Sequence, residues 1–381
     1  MPTLSTNANN LTFTAAEQQW IVQSGVVVGS SLASLGAIVM QFANDELING
    51  GIAFVPQGTP FGGAGVFVGN GADGSKVTNS NTGAITAPTG ISVNAGGVHV
   101  VNAGAIVGSG GIGIDFSPGA GPTIDNSGYI HGKTVAIRGT LLHSFTLNNS
   151  GVIDSDADAI LLLVNGKMAL TNTGKIQAAD GSTAIAALGS GASVELANQG
   201  VIRGEIDLSS GADVFNGRGG VTKGVVFGGD GNDTLTGGGG NDELHGDNGQ
   251  DTISGRGGDD TLIGGASGDI LKGRSGADDF VYQSVSDSGG NAADTRDTII
   301  GFDGGEGDRI DLRPLDAKLG GGNQKFVFIG TSAFTGHKGE LRYDVDSGNA
   351  IVQADVTGDG KADMTILGSN ITKLSADDFH L

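Results

Sequence analysis

Six aspartates recur nine residues apart: Asp233, Asp242, Asp251, Asp260, Asp269 and Asp278. Each takes the sixth place of a unit Gly-Gly-x-Gly-x-Asp-x-apolar-x that runs from 228 to 281 without a gap, as GGDGNDTLT, GGGGNDELH, GDNGQDTIS, GRGGDDTLI, GGASGDILK and GRSGADDFV. Glycines at the first, second and fourth places let the backbone take left-handed turns and aim its carbonyls inward, which a Cβ resists. Carboxylate and carbonyl oxygens, with no nitrogen or sulfur ligand among them, suit a hard cation, and calcium's flexible oxygen shell fits such a turn. The expected metal-binding positions are Gly229, Gly231, Asp233, Gly238, Gly240, Asp242, Gly249, Asp251, Gly258, Asp260, Asp269, Gly276 and Asp278.

A short fixed period means stacked strand-turn units that bury together what none buries alone. The eighth-place residues, Leu235, Leu244, Ile253, Leu262, Leu271 and Phe280, supply the apolar seam of a parallel β-roll. Repeats on one side of such a roll are two apart, which places ions between Asp233 and Asp251, Asp242 and Asp260, Asp251 and Asp269, and Asp260 and Asp278. A flexible Gly/Asp linker is the alternative, but a linker has no reason to keep apolar residues in phase. Asp247, Arg256 and Arg274 replace the second glycine and Ser267 the fourth, so those turns are expected to bind more weakly. The stretch resembles the repeats-in-toxin, or hemolysin-type, calcium-binding family.

Composition agrees. Among 381 residues are 72 glycines and only 5% aromatics, which favours a thin repetitive core. The net charge of −21 disfavours nucleic acid and anionic membranes as partners and keeps a calcium-free chain expanded. Cysteine is absent, leaving calcium as the staple. The first basic residue is Lys76, so the start lacks the pattern of a Sec signal, and the apolar run 32–42 is too short to span a bilayer.

Residues 1–46 read as an N-terminal cap, with short strands at 12–14 and 20–28, or a helix begun by Thr14-x-x-Glu17. Residues 47–207 carry a looser repeat, apolar-x-Asn-x-Gly-x-Ile, with asparagines at 81, 102, 126, 149, 172 and 198, preceded by a contracted LINGGI at 47–52. Spacings of 21 to 26 residues match one three-strand turn of a parallel β-helix. Asparagine tolerates a left-handed bend, and its amide can stack in a ladder on the rungs above and below. Gly211-Ala-Asp213-Val-Phe215 is half of a calcium repeat at the end of this region, and 219–227 keeps the nine-residue length with Gly224 in the aspartate's place. The fold class is therefore all-β: a parallel β-helix continuing into a calcium-binding β-roll (208–282), followed by a small C-terminal β domain (283–381).

The best catalytic set on the β-helix wall is Tyr129, His131 and Lys133, which alternate along one strand, with Asp154 and Asp156 one rung later. Such groups could do acid/base work on an acidic sugar, as in polysaccharide lyases and alginate epimerases, which also join a β-helix to calcium repeats. The alternative is that the slot after each motif isoleucine is simply exposed and varied. Seven rungs at ~4.8 Å give a tube of only about 30 Å, short for a groove holding several sugars. Gly108-Ser-Gly110-Gly-Ile-Gly113 and the near phosphate loop at 128–134 are chance matches in a glycine-rich chain, and neither HExxH nor GxSxG occurs.

Beyond Tyr282, strands are expected at 297–303, 307–312, 325–329, 340–345 and 350–356, as a hairpin domain. This segment resembles the C-terminal domain of serralysin-type proteases and other type I secretion substrates. That resemblance implies an uncleaved C-terminal export signal, for which the ending Asp377-Asp-Phe379-His-Leu381 has the right style. Asp355-Val-Thr357-Gly-Asp359-Gly360-Lys-Ala-Asp363 has the oxygen spacing of a calcium loop but Ile366 at the twelfth place, so an Asp/Gly-rich hairpin turn explains it equally well. The functional expectation is a secreted, calcium-stabilised structural protein of the cell surface or matrix. Its expected partners are the type I secretion machinery and, beyond it, a second copy of itself or a surface glycan. A polysaccharide-modifying enzyme or glycan binder is the alternative; a membrane-lysing toxin ranks third, for want of a long apolar helix.

Overall fold

The structure, a computed structural model, describes residues 3–12, 18–29, 36–55, 63–119, 121–289, 295–318 and 324–381. It is all-β and divides into two compact units, Met1–Ser209 and Ser210–Leu381.

The first unit is a parallel β-helix whose rungs contribute a strand to each of three faces. One face stacks Thr3–Leu4, Gln19–Val22, Glu46–Asn49, Lys76–Asn79, His99–Asn102 and Thr123–Asn126, then the ends of the long strands Val135–Asn149 and Asp158–Asn172, then Ser193–Asn198. All pair in parallel and in register, as in Val100↔Ile124↔Leu147↔Leu170↔Leu196. Inward residues at every second position, among them Val77, Val100, Ile124, Leu147 and Leu170, are almost wholly buried.

At the ends of these strands, from Glu46–Asn49 onward, the asparagines form a continuous chain. Nδ2 of Asn49, Asn79, Asn102, Asn126, Asn149 and Asn172 each donates to Oδ1 of the next asparagine, at 2.7–2.9 Å, ending at Asn198. All are buried. None has a positive φ, so their role is the ladder and not a left-handed bend. The glycine two places on is required by close approach: a Cβ on Gly128, Gly151, Gly174 or Gly200 would overlap the carbonyl oxygen of the motif glycine one rung below.

Two details of the repeat differ from expectation. The ladder residue of its rung is Asn79, not Asn81, because two extra residues separate it from Gly83, which stacks beneath Gly104. In the contracted copy, Ala53 and not Ile52 fills the inward slot, and Ile52 is exposed. The cap expected at 1–46 is also corrected in its described part. Trp20 pairs with Leu47, Val28 with Ala53 and Val39 with Phe67, all parallel, so these residues form earlier rungs of the same stack. They lack the motif because Val22 stands where the ladder asparagine would be. Thr14 and Glu17, proposed as a helix start, lie outside the described residues, as does all of 30–35. With the nine strands named above, the wall is roughly 40 Å long at ~4.8 Å per rung, longer than seven motifs suggested.

The second unit is a two-sided parallel roll. One side stacks Phe215, Leu235, Ile253, Leu271 and Ile299; the other stacks Val226, Leu244, Leu262, Phe280, Ile310 and Phe379. These are the buried seam. The C-terminal segment is thus only partly a hairpin domain: Thr298–Ile300 and Arg309–Asp311 add turns to the roll, because each presents one apolar residue at the seam position. Glu340–Asp346 and Asn349–Asp355 do form an antiparallel hairpin, which Met364–Ser369 extends. Within it, Asp355 accepts the N–H groups of Gly358 and Gly360, at 2.6 and 2.8 Å, and Asp363 those of Val356 and Thr357, so the loop is wound around its own carboxylates as a turn.

Removing one amide from the ladder leaves its neighbours buried and unpaired. Asn149→Ala is expected to destabilise the first unit by about 1–3 kcal/mol per orphaned group. The exposed Asn148→Ala should stay within about 0.5 kcal/mol of the parent. Denaturant unfolding followed by the fluorescence of Trp20, the single tryptophan, checks both.

Candidate metal centre of the β-roll

Each repeat aspartate sits at the point where a turn enters a strand, two residues before the inward seam residue. The side chains of Asp233, Asp251, Asp260, Asp269 and Asp278 are at most 2% exposed, and Asp242 is 9% exposed. One oxygen of each except Asp242 is held by the stack itself. The N–H of Asp233 donates to Oδ1 of Asp251, Asp251 to Asp269, Asp242 to Asp260, and Asp260 to Asp278, at 2.7–3.0 Å. These are the four pairs expected from the sequence. The ladder also begins earlier, because Asp213 N–H donates to Asp233, and extends to Asp297 and Asp308, which accept from Asp269 and Asp278 at 3.0 Å. Repeat matching missed the last two because all three glycine places are lost before Asp297 and only Gly304 of the three is kept before Asp308; the shorter signal Asp-x-Ile marks both.

The other oxygen is what points to a cation. Oδ2 of Asp233, Asp251, Asp260, Asp269 and Asp278 is buried without a protein hydrogen bond. Burial pushes Asp251, Asp260 and Asp269 up to about 7, against the pull of their backbone donors. Neighbouring carboxylates add to the rise. Asp233, Asp242 and Asp278 are raised for the same first reason. Among the described residues no three His, Cys, Asp or Glu side chains converge as a metal cluster. An ion here would therefore rest on paired Asp carboxylates and turn carbonyls, an oxygen-only set of the kind calcium takes.

Glycine is needed at two kinds of place for two reasons. The first-place glycines Gly228, Gly237, Gly246, Gly255, Gly264 and Gly273 are not left-handed, contrary to expectation; a Cβ on any of them would run into Oδ2 of the aspartate in its own repeat. The second and fourth places are left-handed, with φ of 97° at Gly229 and 138° at Gly231. The substituted turns keep that shape: Asp247, Arg256, Ser267 and Arg274 have φ between 74° and 97°. Such residues resist this conformation by about 1–2 kcal/mol each, so the stack imposes it.

The turn at 237–242 differs. Neither Gly238 nor Gly240 has a positive φ, and Gly238 N–H donates to Oδ2 of Asp242 at 2.7 Å. The chain one turn below is the hydrogen-bonded turn 217–220, which lacks the Gly-x-Gly-x-Asp pattern. A cleft of about 670 Å³ opens there, bordered by Lys223, Asp242, Glu243 and Asp259.

On the β-helix, Tyr129, His131 and Asp154 do come together. His131 Nδ1 lies 2.8 Å from Asp154 Oδ1, and the Tyr129 and His131 rings stack with centroids 6.0 Å apart. Burial, then Asp154, pushes the Tyr129 hydroxyl up to about 12. Lys133 lies past the end of the strand Tyr129–Gly132, in an exposed bend where alternation no longer applies.

In calcium-free solution the roll should respond to pH in a defined direction. The folded values of Asp251, Asp260 and Asp269 lie above the ordinary 3.8, so protonation favours the folded state. Stability is then fully present below about pH 4 and lost as pH rises through about 7. Thermal unfolding in chelator from acid to neutral pH should show a falling midpoint, and added calcium, which binds the ionised form, should restore it at neutral pH.

Residues 192–379 match the family described as Peptidase M10 serralysin C terminal. Among solved structures, the AlgE6R2 subunit of the mannuronan C5-epimerase of Azotobacter vinelandii is 28% identical, covering 41% of this chain and 89% of that one with a TM-score of 0.30. The AlgE6R3 subunit of the same enzyme is 26% identical, over 39% and 78%, with a TM-score of 0.29. No curated protein matches the sequence. With the family match laid over two ladders of buried aspartates and their glycine turns, the second half of the chain is a repeats-in-toxin β-roll of the serralysin C-terminal type.

Proposed function

We propose that this is a secreted, calcium-stabilised structural protein of the cell surface or extracellular matrix, exported by type I machinery and folded by calcium outside the cell. The observation that carries it is the row of buried aspartate oxygens without a protein partner, which makes the roll's folding free energy conditional on a cation. In a low-calcium cytosol the roll stays open. The β-helix, built from non-local parallel pairs, folds slowly enough to be threaded. Extracellular calcium, at the roughly 10⁻⁴ to 10⁻³ M where such modules bind, then closes the roll.

The outer wall of the β-helix supports a scaffold role. Its charged groups are tied across rungs in the same way along its length: Lys76 to Glu46, His99 to Asp125, Arg138 to Asp115 and Lys167 to Glu195. His131 with Asp154 is one more member of this series. The second reading, a glycan binder or polysaccharide-modifying enzyme, is favoured by the stack of Tyr129 on His131, which offers a sugar an aromatic face. A tyrosine held near 12 is a poor base at neutral pH, which places this reading second.

Sedimentation velocity in chelator and again in millimolar calcium separates the outcomes. A slow, expanded monomer that becomes large particles is the expected result, and a compact monomer with calcium argues against self-assembly. Turnover or binding of uronate polymers that disappears in His131→Ala, with calcium binding intact, would replace the structural reading by the second one.

A further inference from the structure

Two of the residues that interrupt the glycine pattern are arginines, and they fall in neighbouring turns on one side of the roll. Along the parallel strands Thr252–Gly257 and Ile270–Ser275, Arg256 stands in register with Arg274 and Ser254 with Lys272. The seam residues Ile253 and Leu271 point inward, so strand alternation turns these four side chains outward, on rungs ~4.8 Å apart. Both arginines hold left-handed backbone, with φ of 85° and 82°, at the place where the repeat has glycine.

No carboxylate offsets this cluster. On the β-helix wall the cross-rung charges are opposite in sign, as in Lys76 with Glu46 and Lys167 with Glu195, whereas here arginine stacks on arginine. Among the described residues neither arginine nor Lys272 forms an ion pair, although the chain has 41 Asp and Glu against 20 Lys and Arg. The geometry is nevertheless fixed. Arg274 Nε donates to Ser254 Oγ at 3.1 Å, which orients the guanidinium and leaves its Nη groups for another acceptor, and Ser275 Oγ donates to the Arg256 carbonyl at 3.0 Å, which ties the two turns together.

Like charges opposite one another on neighbouring strands repel, and each arginine resists its left-handed turn. An anion shared by both forks relieves the repulsion. A carboxylate brings one charge and two oxygens, which a single fork already saturates. A phosphate monoester, with a second pKa of about 6, brings nearly two charges at neutral pH and three acceptor oxygens, enough for two forks and an ammonium. The net charge of −21 repels dense polyanions at long range, which favours one compact anionic group. We propose that Arg256, Arg274 and Lys272 bind a single phosphate group, free or carried on a sugar, on the outer face of the roll. The site rests on the calcium reading only in needing the roll folded.

The test is isothermal titration of the full chain in millimolar calcium with glucosyl phosphate, inorganic phosphate and a uronate oligomer, with compaction followed by sedimentation velocity. Arg256→Gly/Arg274→Gly restores the repeat's own residue at both turns, so the roll still folds. Lys361→Ala/Lys373→Ala removes two exposed cations elsewhere in the same unit as a control. The parent should bind glucosyl phosphate saturably, the double glycine form about tenfold more weakly or worse, and the control pair within about twofold of the parent. Tighter binding of glucosyl phosphate than of inorganic phosphate assigns the site to sugar-borne phosphate, and equal binding assigns it to the free ion. Tighter binding of the uronate oligomer, equal loss in both double variants, or no saturable binding by a compact parent overturns the site alone. A parent that calcium leaves expanded overturns the calcium reading and the site with it.

Discussion

A carboxylate repeated at each turn on either side of a thin roll must be buried for the seam to close, and a buried carboxylate needs more than backbone donors. Each repeat aspartate but Asp242 receives one N–H from the residue stacked on it, which satisfies Oδ1 and fixes the spacing of the turns. Its Oδ2 is left without a protein hydrogen bond, with the first-place glycine making room for it. Everything else in the second unit follows from this arrangement. The left-handed turns bring carbonyls to the same place, and the eighth-place residues form a seam too narrow to stabilise the stack alone.

The two units solve the same problem with side chains that differ by one group. In the β-helix, the amide of asparagine carries both a donor and an acceptor, so each residue satisfies the next and the ladder is neutral and complete from Asn79 to Asn198. In the roll, aspartate offers acceptors only. The amide ladder is self-sufficient, whereas the carboxylate ladder leaves an oxygen of most of its members without a protein partner. On the function proposed above, that difference makes the β-helix the scaffold and the roll the part that answers to calcium.

Much of this was legible because exact periods survive in sequence: the nine-residue spacing gave the aspartate pairs and the seam, and the Asn-x-Gly-x-Ile motif gave the β-helix. What was hidden has particular causes. Two inserted residues shifted the apparent ladder position from Asn79 to Asn81. Val22 in place of an asparagine concealed the earlier rungs within 1–46. Asp297 and Asp308 keep the ladder position without the repeat's full glycine pattern, of which only Gly304 survives before Asp308 and nothing before Asp297. The stack of Tyr129 on His131 followed from strand alternation, whereas Lys133 fell beyond the strand's end.

The dependence of the roll on calcium is tested most directly by amide hydrogen exchange at neutral pH, with and without the ion, read at the N–H groups of Asp233, Asp251, Asp260 and Asp269. The expected result is strong protection of these amides only when calcium is present, while the β-helix amides flanking Asn126 and Asn149 are protected in both conditions. Equal protection of the roll amides in chelator would contradict the claim that a cation completes their carboxylate ladder.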